Sequence, residues 1–213
     1  MLDITNIIRD VAILAVPVLM AITFHEVAHG YVAFWLGDPS ARNAGRLTFN
    51  PIKHLDPIGA LALFLVKVGW AKPVPVNPRY FKDPRKGMIL VSIAGPITNF
   101  ILAVFFSIAF HLLLWGFGHN QQALVISAVQ PLIYMCQAGV LVNLGLGVFN
   151  LLPIPPLDGS NIVAGLLPQR YVDSFLRLGK YGLIVLIVLF LSGAVQKVIV
   201  PIIYGLASIL LPL

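Results

Sequence analysis

Charge is scarce in this chain. Among 213 residues there are 8 acidic and 14 basic side chains, so 10% of the sequence is charged and 59% is hydrophobic. Soluble domains carry about 25% charged residues, so a water-soluble globular fold is excluded. Cysteine is almost missing: Cys136 is the only one, which rules out an intramolecular disulfide. A lone thiol in an apolar stretch reads as a small hydrophobe. No polar stretch reaches the ~50 residues that a separate soluble domain takes. The N-terminus has no basic region ahead of its apolar run and does not read as a signal peptide. Gly145-Leu146-Gly147 lacks the strand-to-helix setting of a nucleotide loop.

What the sequence has is apolar length. Runs at about 7–36, 88–117, 124–151 and 178–213 are long enough to cross a hydrocarbon core of about 30 Å. The expectation is an all-α polytopic membrane protein, one integral unit over 1–213, with about four or five transmembrane helices. The last run is too long for one untilted span. A break at Ser192–Lys197 would make it two helices, and the sequence leaves both options open. Between the first two spans, residues 41–86 are basic and proline-rich, and read as a small membrane-associated strand and re-entrant region. Within it Gly45–Phe49 and Pro73–Val76 read as short strands, and 58–66 as a re-entrant element too short to span.

Nine of the 14 basic residues fall between residues 42 and 86, and Arg170, Arg177 and Lys180 follow the third span. This asymmetry follows the positive-inside pattern. The net charge of +6 therefore points to membrane lipid headgroups and not to nucleic acid. It also places the N-terminus outside and the end of the first span on the cytoplasmic side.

The end of that first span carries His25-Glu26-Val27-Ala28-His29. On a helix, positions i and i+4 share a face, so both imidazoles can ligate one zinc ion. The glutamate between them can act as a general base. Ionisable groups at membrane depth are costly and mark function. A catalytic zinc site needs a third protein ligand. Asp158 is the leading candidate, because prolines 153, 155 and 156 break the third span beside it and free backbone to line a cavity. Asp56 is its best rival, with the competing reading of a turn-initiating aspartate. A metal ion transporter and a catalytically inactive membrane scaffold are the alternatives to an enzyme. The ionisable residues converge at one depth and form no ladder across the bilayer, unlike an ion pathway, and a scaffold that only bound zinc would not need Glu26.

Together these segments resemble the site-2 protease family of intramembrane zinc metalloproteases. The resemblance rests on His25-Glu26-Val27-Ala28-His29-Gly30, Asn50-Pro51, Leu55-Asp56-Pro57-Ile58-Gly59 and Gly69-Trp70-Ala71-Lys72-Pro73-Val74-Pro75-Val76-Asn77. It extends through Gly95-Pro96-Ile97-Thr98-Asn99 and Asn150-Leu151-Leu152-Pro153 to Leu157-Asp158-Gly159. It implies one zinc ion held by His25, His29 and Asp158, with Glu26 as base and Asn150 gripping substrate or oxyanion. The implied activity is hydrolysis of peptide bonds in or near membrane spans, in regulated intramembrane proteolysis. The implied partner is a transmembrane protein substrate, in a prokaryotic cell membrane with the site toward the cytoplasm. This is a compact form without a recognisable PDZ or CBS domain, so an accessory membrane or soluble regulator would be another chain.

Further substrate contacts are expected at Leu47 and Thr48, through edge pairing with an unwound substrate. His54 reads either as an interfacial histidine or as a contact to substrate or to the ligands. Asn99 reads either as an interhelical hydrogen-bonding residue or as a substrate contact.

Overall fold

A computed structural model of the protein describes residues 4–59, 69–118 and 122–212. Among these, the chain forms eight α-helices: α1 (Ile4–Trp35), α2 (Ser40–Asn43), α3 (Pro84–Phe117), α4 (Ala123–Asn150), α5 (Asp158–Leu166), α6 (Gln169–Arg177), α7 (Gly179–Leu191) and α8 (Ala194–Leu210). Short 3-10 turns sit at Pro51–Lys53 and Pro78–Tyr80. Three stretches are long and apolar enough to cross a membrane: Val11–Trp35, Pro84–Phe117 and Val125–Asn150. A fourth is reached if Gln169–Gly182 and Ile184–Leu191, bent by 63°, count as one span. The protein is an integral membrane protein.

The membrane-length helices α1, α3 and α4 are apolar all round, so burial on them does not follow a polar and an apolar face. On α3, Asn99, Ala103, Phe106 and Phe110 turn inward, while Ile101, Phe105, Ile108, Leu112 and Trp115 are exposed on the other side. Both stripes follow helical spacing, and the outer one is the surface a bilayer covers. The inner stripe packs on Cys136, Val140 and Leu144 of α4 and on Ala207 and Leu211 at the far end of the chain. Helices α1, α3 and α4 pack on one another, α5 lies on α3, and α8 lies on α4. The open question about the final run is settled at Gly193, whose φ of 75° separates α7 from α8.

The short strands expected between the first spans do not form. Among the described residues the only β contact is an isolated antiparallel bridge, Leu55–Ala71. Residues 45–49 are turn and bend, with Gly45 at φ 63°. Residues 72–77 run without assigned structure. The expected re-entrant element at 58–66 lies outside the described residues except for Ile58 and Gly59. The physical reason for the missing strands is that side chains satisfy this backbone. Arg46 donates to the carbonyls of Lys72 (2.6 Å) and Pro73 (3.1 Å). Asp38 accepts from the N–H groups of Ser40 (2.9 Å) and Asn77 (2.6 Å). Pro73 and Pro75 have no N–H to offer a ladder.

Asp38 is thus a fully buried carboxylate that joins the end of α1 to the 72–77 segment. Asp38→Ala strands two backbone donors, at about 1–3 kcal/mol each. The expected outcome is a clearly lower melting temperature in detergent, with Asp38→Asn losing less. A thermal scan of purified protein measures it.

Candidate metal centre

The two histidines stand one turn apart on α1, with ring centroids 4.6 Å apart and planes at 88°. Each ring is held from behind. His25 Nδ1 donates to Asn99 Oδ1 at 2.6 Å, and His29 Nδ1 donates to the Val91 carbonyl at 2.7 Å. The direction of both bonds is constrained. The Val91 carbonyl can only accept. The Asn99 amide nitrogen donates to Ala21 O (3.2 Å) and Asn143 Oδ1 (3.0 Å), which leaves its oxygen facing His25. Asn143 is anchored in turn to the Gly139 carbonyl at 2.9 Å. With the proton on Nδ1, each neutral ring presents a bare Nε2 lone pair to the other side.

Those lone pairs meet Asp158, the first residue of α5. Nε2 of His25 and His29 lie 3.0 Å apart, and Asp158 Oδ2 is 3.2 Å from the first and 3.3 Å from the second. Asp158 Oδ2 is buried and has no hydrogen-bond partner. Three acceptors converging without a proton donor repel one another unless a cation sits among them. Ligands at 2.0–2.1 Å from a tetrahedral zinc stand about 3.3 Å apart, which these spacings approach. The donor set of two imidazoles and a carboxylate suits zinc, and a catalytic site keeps its fourth position open. The residues therefore fit a zinc ion. Among the described residues this is the one group of three metal-capable side chains that converges.

Two glycines allow the approach. A Cβ on Gly95 of α3 would lie 2.5 Å from His25 Cε1 and 2.6 Å from His29 Nε2, so any side chain there would displace the rings. A Cβ on Gly159 would lie 2.2 Å from the Leu151 carbonyl, so only glycine lets the start of α5 fold back on the end of α4. That fold-back carries Asp158 to the histidines.

The other expected site residues are placed as follows. Glu26 lies between the histidines, and its Oε2 accepts the Val74 N–H at 2.8 Å. Asn150 is the last residue of α4 and donates to the Leu146 carbonyl of its own helix at 3.0 Å. Asn99 is fully buried against His25, with both amide atoms engaged. His54 is fully buried too and donates through Nε2 to the Thr48 carbonyl at 2.7 Å. Leu47 packs over Gly30. Asp56 accepts from the N–H groups of Ile58 and Gly59, the turn role open to it from sequence, and stands outside the cluster. Sequence reasoning missed Asn143, the buried role of Asp38 and the Val91 carbonyl. Only a buried Asn one face away from Asn99 could have signalled the first, and a backbone carbonyl has no signal at all.

Two buried imidazoles and a half-buried carboxylate converging beside membrane-length helices suit the metal centre of a membrane metalloenzyme. The model of Peptidase family M50 matches residues 13–193, and the chain belongs to that family, the site-2 proteases. A relative in Bacillus subtilis, "Putative zinc metalloprotease YwhC", is 42% identical over 88% of this chain and 84% of its own length. "Putative zinc metalloprotease Rip2" of Mycolicibacterium smegmatis is 28% identical over 84% of this chain and 66% of its own length. "Zinc metalloprotease MJ0392" of Methanocaldococcus jannaschii is 28% identical over 75% of this chain and 36% of its own length. No solved structure matches significantly. The chain is a zinc metalloprotease with zinc as its cofactor.

Removing the support behind His25 should weaken metal binding. Asn99→Ala is expected to lower zinc affinity about 10–100-fold, as loss of a histidine's hydrogen-bond partner does elsewhere. Gly95→Val should abolish stoichiometric zinc altogether. Competition with a colorimetric chelator, read beside metal content by plasma emission, checks both.

Proposed function

We propose that this protein hydrolyses peptide bonds in or next to the transmembrane segments of other membrane proteins, as one peptidase unit formed by the whole chain. The observation that carries this reading is the depth of the cluster: His25, His29 and Asp158 converge where an apolar helix of membrane length packs on a second and is met by the broken end of a third. An apolar groove of about 700 Å³ between α1 and α3 runs alongside, with Val27, Ala28, Ala94 and Thr98 in its wall. These residues adjoin the histidines on one helix and Gly95 and Asn99 on the other.

In this reading His25, His29 and Asp158 hold the zinc. Bound there, the ion supplies a Lewis acid for the scissile carbonyl and lowers the pKa of a water. Glu26 takes a proton from the attacking water and returns it to the departing amine. Asn99 keeps His25 in the tautomer that leaves Nε2 bare. Asn150 spends one amide N–H on Leu146, and its second is offered to the substrate carbonyl as negative charge develops. Leu47 and Thr48 act through the loop that they and His54 shape, because the Thr48 carbonyl is already committed to His54. The extended 73–76 segment lies against the proposed base through the Val74 N–H, so it borders the place where an unwound substrate would be cut. The basic 42–86 region sits in the cytoplasmic interface, which puts the cut near that side. Regulated intramembrane proteolysis, following an earlier cut of the same substrate, is the process this chemistry serves.

Glu26→Gln is the direct test, on reconstituted protein with a single-span substrate. The variant is expected to keep one zinc per chain and to lose cleavage by at least about 100-fold, the scale of general-base catalysis. Wild-type turnover by that variant would overturn the assignment. Wild-type protein that passes metal across vesicles but never cuts would favour transport.

A further inference from the structure

The mechanism leaves one thing unexplained about Glu26, namely what aims its carboxylate. Its Oε2 accepts the N–H of Val74 at 2.8 Å. The carbonyl of the same peptide unit, Pro73 O, accepts from Arg46 Nη1 at 3.1 Å, and Arg46 Nη2 reaches the preceding carbonyl, Lys72 O, at 2.6 Å. A trans peptide is planar, with its C=O and N–H pointing opposite ways. Fixing the oxygen on one side therefore fixes the hydrogen on the other.

We infer that Arg46 is a positioning residue for the catalytic base, acting through the single peptide plane between Pro73 and Val74. The guanidinium and the Glu26 carboxylate stand at opposite ends of that plane, cation on the acceptor end and anion on the donor end. Each bond polarises the peptide in the sense that strengthens the other. Arg46 is only 6% exposed, so its charge is not a surface accident. The sequence around Val74 serves the same arrangement. Pro73 and Pro75 lack N–H groups, so Val74 supplies the only backbone donor across 73–75, and the rings restrict the chain on both sides. With Oε2 committed, Oε1 is left for proton transfer. The inference rests on Glu26 acting as the base.

Replacing Val74 with its α-hydroxy analogue turns the N–H into an ester oxygen and leaves the side chain intact. The same exchange at Asn77 removes the bond to Asp38 and is the control for general loosening of the loop. The Val74 ester is expected to lower kcat about 10–100-fold, the scale of one hydrogen bond to a charged group, with KM and zinc content near wild type. The Asn77 ester should keep kcat within about threefold, well short of such a loss. Arg46→Lys keeps the charge but cannot fork onto two carbonyls, so it should fall between wild type and Arg46→Gln in kcat, with zinc retained. Full activity in the Val74 ester, or equal losses in both esters, would overturn the inference. A rise in KM with unchanged kcat would do so as well, since it would assign the peptide to substrate binding alone. These outcomes are separate from the base assignment, which stands or falls with Glu26→Gln.

Discussion

Three lone pairs pointed at one another across about three ångströms form the constraint on which the rest of this protein depends. Both Nδ1 protons are committed to acceptors, Asn99 Oδ1 and Val91 O, so no proton is left to separate Nε2 of His25, Nε2 of His29 and Oδ2 of Asp158. A cation is what such a cluster requires. Nearly every special residue nearby keeps the three atoms in that standoff. Gly95 gives the rings room, Asn143 holds Asn99, and Gly159 lets α5 bring Asp158 home. In a medium without water to solvate a stray polar group, each of these partners has to come from the protein.

A second set of bonds ties the motif helix to the loop beyond it. Asp38, Glu26 and Arg46 all bond to backbone between Lys72 and Asn77. A segment read from its sequence as a strand is therefore an extended strap, held by side chains where a ladder would be held by a neighbouring strand. Two of those side chains, Asp38 and Arg46, are charged and buried, and each bonds to two peptide groups. The clustered histidines and the strap's contact through Glu26 share α1, so one helix carries both.

Much of this was legible without coordinates. The spacing of His25 and His29 needs only the pitch of a helix, and the prolines after Asn150 announce a broken span beside Asp158. Asn99 was harder. An asparagine in a span hydrogen-bonds to something, and sequence left open whether that was another helix or a substrate. The bond to His25 lies 74 positions away. His54 looked interfacial beside Lys53, yet it is fully buried under its own loop. The expected strand at 73–76 did not form for a definite reason: alternating Val and Pro resembles a strand edge, while what satisfies the backbone of 72–77 is Arg46 and Asp38, distant in sequence. At 45–49 the chain turns instead, with Gly45 at φ 63°.

Local order, the apolar spans and the ligand-bearing helix follow from the sequence alone, because they depend on composition and on residues within a turn or two of each other. Which carboxylate joins the histidines, which amide stands behind them and what grips Glu26 were decided by tertiary structure. Those contacts come from atoms on separate helices and loops. In chains that are apolar on every face, hydropathy does not say which side turns inward; close packing and the pairing of a few buried polar atoms do.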